Sequence, residues 1–267
     1  MSLRTINVQG VGLEVRHIPA LASQKAPLVF LHEGLGSVAM WRDWPDQICA
    51  ASGRAGWVYS RRGYGQSDSV PDVRGEPGEQ LGQRCGRLLP DYMHQEAWVM
   101  LPALLEELHI DQPVLLGHSD GASIALLYAS RYPVTACIVM APHVMVEAIS
   151  LQAIAQARVA FEQGDLRQRL ARYHADVDCA FWQWNEVWLS EGFRHFDIRP
   201  DCRRITAPVL AIQGLDDPYG TMAQIDQMAL SDNLIQRQAL AACGHSPHRE
   251  QTERTNDLLV QFLADMT

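Results

Sequence analysis

Between Val114 and Ser123 an apolar run ends, Gly117-His118-Ser119-Asp120-Gly121 follows, and an apolar helical pattern begins. No other stretch constrains the fold as strongly as this Gly-x-Ser-x-Gly spacing. A strand that reverses sharply into a helix holds its central residue at strained backbone angles. The residues two before and two after then approach closely, which leaves little room for a Cβ at either. The central hydroxyl stands clear of a sheet at a helix N-terminus, where backbone N–H groups favour developing negative charge. Ser119 is therefore the candidate nucleophile. The alternative reading is an ordinary strand–helix turn.

The rest of the chain supplies the sheet that such a turn needs. Short apolar runs at 27–31, 57–59, 114–116, 136–140 and 209–213 are bounded by turn signals and suit strands buried on both faces. Two further strands, 5–8 and 13–18, flank a Gly10-Val11-Gly12 turn. Trp98, Leu101, Leu104, Leu105 and Leu108 predict a helix over 92–108, and 122–132 and 256–266 also read as helices. Strands alternating with helices predict an α/β layered fold with a mostly parallel sheet. The alternation breaks between 140 and 209, where helical pattern appears without a good strand, clearest at 146–172 and 181–189. This predicts a helical cap, 146–198, over a core formed by 1–145 and 199–267. The Gly-, Pro- and Arg-rich segment 71–90 reads as a loop.

Composition narrows the functional classes. The 267 residues are 47% apolar and 20% charged, which excludes a disordered tail or a disulfide mini-protein. Net charge is −9, and Lys25 is the single lysine beside the arginines. Without a basic run the chain lacks the footprint of a nucleic-acid partner. Cys49, Cys85, Cys137, Cys179, Cys202 and Cys243 lie far apart without a Cys-x-x-Cys pair, as scattered thiols in a reducing compartment do. No leader pattern opens the chain, and no stretch approaches the ~18 uninterrupted apolar residues of a membrane span. A cytoplasmic protein with no membrane partner is expected.

A serine nucleophile needs a base, and the base needs a group to orient it. Asp216 and Asp217 follow the apolar run 209–213, and His245 lies in a Cys243-Gly244-His245-Ser246-Pro247-His248 loop before the last helix. The chain order is Ser, Asp, His, each at the end of a predicted strand or in a loop beyond one, where an α/β sheet presents its site.

With these residues the sequence resembles the α/β-hydrolase fold superfamily over essentially its whole length. The matching motifs are Leu31-His32-Glu33-Gly34-Leu35-Gly36, Arg62-Gly63-Tyr64-Gly65-Gln66-Ser67, the serine turn, Gly214-x-x-Asp217 and Gly244-His245. The resemblance implies a mostly parallel sheet flanked by helices, with a helical cap. It maps the triad acid onto Asp217, three after the glycine, with Asp216 as competitor, and the general base onto His245. It implies an oxyanion hole from the backbone N–H groups of Gly34 and Asp120, and no metal or organic cofactor. The expected activity is hydrolysis of a small carboxylic ester or related acyl substrate by a Ser-His-Asp triad and water. The alternatives are C–C bond hydrolysis of ring-cleavage diketones and, more remotely, a non-catalytic ligand-binding module.

Two positions depart from the usual pattern. Glu33 stands where the common loop has glycine. It is expected either to pair with Arg61 or Arg62 away from the oxyanion or to contact substrate. Asp120 follows the nucleophile directly, as in amino-acid ester hydrolases resembling valacyclovirase, where this residue can receive a substrate ammonium. The competing expectation is an Asp120 bonded to neighbouring loop amides. Trp184 and Trp188 form either a substrate roof or a core face. Trp41 and Trp44 are expected to pack a helix, His118 to pack beneath the turn, and His248 to support its loop. His174, Asp176 and Asp178 look metal-like but lack any recognised ligand spacing.

Overall fold

The computed structural model describes every residue except 1, 21–23, 81, 265 and 267. Residue 1 of the segment read for a leader and residue 265 of the last predicted helix thus lie outside the described residues. Ten strands form among the described residues: β1 (Ser2–Val8), β2 (Val11–Ile18), β3 (Leu28–Leu31), β4 (Gly56–Tyr59), β5 (Gly78–Gln80), β6 (Gln83–Cys85), β7 (Val114–His118), β8 (Ala136–Met140), β9 (Val209–Gly214) and β10 (Ile235–Leu240). Eight of them make one sheet in the order β1-β2-β4-β3-β7-β8-β9-β10. β1, β2 and β4 pair antiparallel, and every pairing from β4 to β10 is parallel.

Side-chain alternation along the central strands explains why both faces of the sheet are covered. Leu28, Phe30, Val114, Leu116, Ile138 and Leu210 point to one face, against the helices Trp44–Ser52 and Thr252–Ala264. Val29, Leu31, Leu115, Val139 and Ala211 point to the other, where the helix Asp120–Ala129 packs. On the first face Trp41 and Trp44 stack at 5.5 Å, and Trp44 Nε1 donates to Asn256 Oδ1 at 2.8 Å, pinning the last helix. Each fully buried Leu, Ile or Phe in these layers contributes about 1.5–3 kcal/mol of transfer free energy.

Three local expectations are corrected, and one strand is added that the sequence reading did not expect. The segment 71–90 is not wholly loop, because β5 and β6 pair within it as a two-stranded ribbon. β10 had no apolar signal: only Ile235 and Leu240 at its ends are buried. The helix predicted over 92–108 is interrupted by a π segment, Glu96–Met100. Pro102 has no N–H to offer the carbonyl of Trp98, and Tyr132 Oη donates to that carbonyl instead at 3.0 Å. The stretch 146–172 breaks at Gly164 into Ala148–Gln163 and Leu166–Leu170.

Between β8 and β9 the regular structure of the described residues is helical, joined by turns, apart from a single antiparallel bridge between Met145 and Asp197. Beside that bridge Ile198 N–H donates to Val144 O at 2.8 Å, so both ends of the insertion leave the sheet together. The third helix, Val177–Leu189, is capped by Asp176, whose carboxylate accepts from Cys179 N–H at 2.9 Å. None of the six cysteines is paired. Among the described residues no helix is long and apolar enough to cross a membrane.

The turn after β7 is as crowded as its sequence implies. A Cβ on Gly121 would lie 2.0 Å from the carbonyl oxygen of Leu31, and one on Gly117 would lie 2.3 Å from that of Gly121. Both obstacles are backbone, so neither can swing aside. Gly121→Ala is expected to lower stability by ~3 kcal/mol, the upper part of the usual overpacking range. Urea unfolding followed by circular dichroism checks this, and an unchanged midpoint would show that the β3–helix contact can relax.

Candidate active site

Ser119 holds φ 54° and ψ −120°, a region that side chains rarely occupy. Its N–H donates to Met140 O at 2.9 Å, which ties the turn to β8. The hydroxyl thereby leaves the sheet at the carboxyl edge of β7. His245 reaches the same point from the loop after β10, and Ser119 Oγ donates to its Nε2 at 2.9 Å. That role requires the tautomer protonated at Nδ1. Nδ1–H meets Asp217 Oδ1 at 3.0 Å and Oδ2 at 2.9 Å.

Asp217 is itself held from two sides. Tyr219 N–H donates to Oδ1 at 2.8 Å, and Gln213 Nε2 donates to Oδ2 at 2.8 Å. Burial pushes its pKa up, but the bond and charge of His245 and the Tyr219 amide outweigh that and hold the carboxyl below its ordinary value. Asp216 is exposed and turned away, with its N–H on the carbonyl of Cys243. Of the two adjacent acids, only Asp217 meets His245.

His118 lies beneath the turn, buried, with Nε2–H donating to the carbonyl of His245 at 2.7 Å. Its Nδ1 is 3.5 Å from Glu33 Oε2. Arg249 Nη2 approaches Glu33 Oε1 at 3.8 Å. The carboxylate of Glu33 therefore meets His118 and Arg249, not Arg61 or Arg62 as the sequence reading expected. Arg61 instead spends its guanidinium on the carbonyls of His32 and Glu33, at 2.6 and 3.1 Å. Burial would raise the pKa of Glu33, yet His118 and Arg249 hold it well below the carboxylate range.

A cavity of about 230 Å³ opens over Ser119, and Glu33, Gly34, Asp120, Trp184 and Trp188 all line it. Trp184 presses on Gly34 so closely that a Cβ there would fall 2.1 Å from its Nε1. Both tryptophans are buried as well as cavity-lining, so roof and core face are the same surface. Asp120 is buried, and Tyr92 Oη donates to its Oδ2 at 2.6 Å. Arg61 Nη2 lies 3.9 Å from the same oxygen. Its side-chain partners are thus a tyrosine and an arginine, not loop amides, and Oδ1 has no hydrogen-bond partner among the described residues. Burial pushes the Asp120 pKa up, opposed by Arg61 and by the bond from Tyr92.

The sequence reading missed His143, Tyr219, Leu35 and Ile154, which also line the cavity. His143 could have been found, since it lies three residues beyond the carboxyl end of β8. Burial, with the charge of His245, pushes its pKa down to about 3, so it is neutral. Ile154 sits on an insertion helix, where nothing in the sequence distinguishes a cavity wall from a core face. The metal-like cluster comes apart. His174 Nδ1 accepts from Gly65 N–H and its Nε2 donates to Leu35 O, both at 3.0 Å, while Asp178 pairs with Arg167. His248 packs 5.0 Å from the rings of both Trp41 and Trp44. Among the described residues no three His, Cys, Asp or Glu side chains are grouped to hold a metal.

This geometry, a hydroxyl bonded to an imidazole that is oriented by a buried carboxylate beside a walled cavity, suits nucleophilic attack on an acyl carbon. Comparison with known proteins places the fold and the family. The chain is 25% identical to a proline iminopeptidase of Lactobacillus helveticus over 286 aligned residues, covering 90% of each chain. Its fold is similar to that of an enol-lactonase from Burkholderia xenovorans, with a TM-score of 0.71, 18% identity and coverage of 98% of this chain and 100% of that one. It is equally similar to a meta-cleavage product hydrolase from Pseudomonas fluorescens, with a TM-score of 0.72, 17% identity and coverage of 99% and 98%. The pattern that defines the alpha/beta hydrolase family matches residues 28–258. The chain belongs to the alpha/beta hydrolase family.

Proposed function

We propose that this protein is a serine hydrolase that cleaves a small carboxylic ester through an acyl-enzyme, with Ser119, His245 and Asp217 as its triad. The observation that carries this reading is the unbroken hydrogen-bond chain from Asp217 through His245 to Ser119. As Ser119 Oγ bonds the acyl carbon, His245 Nε2 takes its proton, and Asp217 stabilises the imidazolium that results. His245 returns the proton to the departing alkoxide as the C–O bond breaks. Water then adds by the same route and regenerates the serine.

The oxyanion is received by the N–H groups of Asp120 and Gly34. Asp120 is the first residue of its helix, so its N–H has no intrahelical acceptor. Gly34 lines the cavity under Trp184. One such donor in other enzymes contributes on the order of 3–4 kcal/mol. On this reading residues 146–198 act as a cap, with Trp184 and Trp188 as the roof that excludes water.

Asp120 further narrows the acyl group. A buried acceptor left without a donor costs about 1–3 kcal/mol. Its Oδ1 is such an acceptor, and a substrate ammonium near the acyl carbon would supply the donor. The relatives' name, iminopeptidase, itself implies a substrate amine, which supports an amino-acyl substrate here. Glu33, committed to His118 and Arg249, serves the loop and not the substrate.

Wild type is expected to hydrolyse members of a p-nitrophenyl ester panel, and Ser119→Ala to lose at least ~10³-fold in kcat/KM. Turnover that survives the substitution would remove Ser119 as nucleophile. Asp120→Asn is expected to cut the preference for amino-acyl over plain acyl esters by roughly 10-fold or more, the value of one charge-assisted bond. An unchanged ratio would remove the ammonium role. Because the Asp217 carboxyl is held below its ordinary value, it stays ionised as pH falls into the ordinary carboxylate range. Asp217 should therefore add nothing to the acid limb of log kcat/KM against pH above that range, and a limb with a slope of two would show this carboxyl titrating there.

A further inference from the structure

Behind the candidate active site lies a second cavity of about 270 Å³, between the β5–β6 ribbon and the start of the helical stretch at Tyr92. Its walls carry three guanidinium groups, those of Arg61, Arg62 and Arg84. Arg61 is satisfied by carbonyls and by Asp120. The other two are satisfied only in part, Arg62 by a long bond from Nη1 to Gln83 Oε1 at 3.5 Å. Arg62 Nε and Arg84 Nη1 are buried without a hydrogen-bond partner among the described residues, and so is the hydroxyl of Tyr64 on the same wall. Neither arginine forms an ion pair among the described residues. Two carboxylates face the cavity as well, Asp91 and Glu96, and the charge of Glu96 acts on Arg61 and Arg84 without forming an ion pair with either. Tyr59 Oη donates to Glu96 Oε1 at 2.7 Å, and Gln95 Nε2 donates to Asp91 Oδ2 at 2.8 Å.

Two unpaired guanidinium groups side by side repel each other and leave donors unmet, and an anion with several acceptor oxygens relieves both costs. Leu88 and Met100 add an apolar wall beside the cationic one. We propose that this cavity is a binding site for a small organic anion, headed by a carboxylate or phosphate and carrying a short apolar body. It is separate from the cavity over Ser119, with which it shares no lining residue.

Isothermal titration at constant ionic strength tests the proposal, with malonate and inorganic phosphate as probes of the two headgroups. Saturable binding of either probe is expected. Arg84→Gln should weaken it at least 10-fold while leaving ester turnover within twofold of wild type. Arg62→Gln is the second variant should Arg84→Gln fail to fold, and the same loss is expected. Ser119→Ala should bind the probe as wild type does, so failure of the hydrolase reading leaves this test intact. No saturable binding at millimolar probe, binding unchanged in the arginine variant, or loss of binding in Ser119→Ala would each overturn the proposal.

Discussion

A side chain held at φ 54° is the constraint on which the rest of the site depends. Such a conformation costs of order 1–3 kcal/mol and persists only where its surroundings over-determine it. Here the surroundings are backbone. β3 presses on Gly121, the helix returns onto Gly117, and β8 accepts the N–H of Ser119. Those contacts in turn rest on a sheet buried on both faces, with no slack in which the turn could relax. The strain is local, and the whole α/β sandwich holds it in place.

The imidazole is fixed with comparable economy. His245 is in a loop, yet its carbonyl is held by His118, its Nδ1 by Asp217, and its ring lies 4.6 Å from that of Tyr219. His118 is also the neighbour of Glu33, so the residue beneath Ser119 links the His245 loop to the loop after β3. The carboxylate at position 33, on the wall of the same cavity, lies 3.5 Å from His118 Nδ1 and 3.8 Å from Arg249 Nη2.

Much of this was legible in the sequence wherever the chemistry demanded local spacing. The serine turn could be read because glycine is required two residues to either side of Ser119. An acid after the 209–213 run and His245 in its Gly-His loop could be read from local composition, but Asp217 is preferred to Asp216 only through the resemblance to the family. What could not be read depends on tertiary proximity. Nothing near position 33 announces Arg249, and nothing near 120 announces Tyr92. The adjacent acids 216 and 217 look alike until the loop after β9 turns one outward and the other toward the histidine. The π segment was hidden because the Leu101, Leu104 and Leu105 pattern keeps helical spacing across Pro102, and spacing alone does not register a lost N–H.

β10 escaped notice because Gln236, Arg237 and Gln238 stand where an interior strand would place apolar residues. That polarity has a use of its own. β10 is the last strand of the sheet and among the described residues pairs with β9 alone, so its other edge offers backbone donors and acceptors to any passing chain. Arg237 turns its guanidinium back onto the carbonyls of Ile225 and Met228. A strand adding to this edge would have to desolvate the glutamines and work around that anchored arginine. The feature that conceals the strand from a hydrophobicity reading is thus a barrier to edge-to-edge aggregation, and the sheet ends where the molecule does.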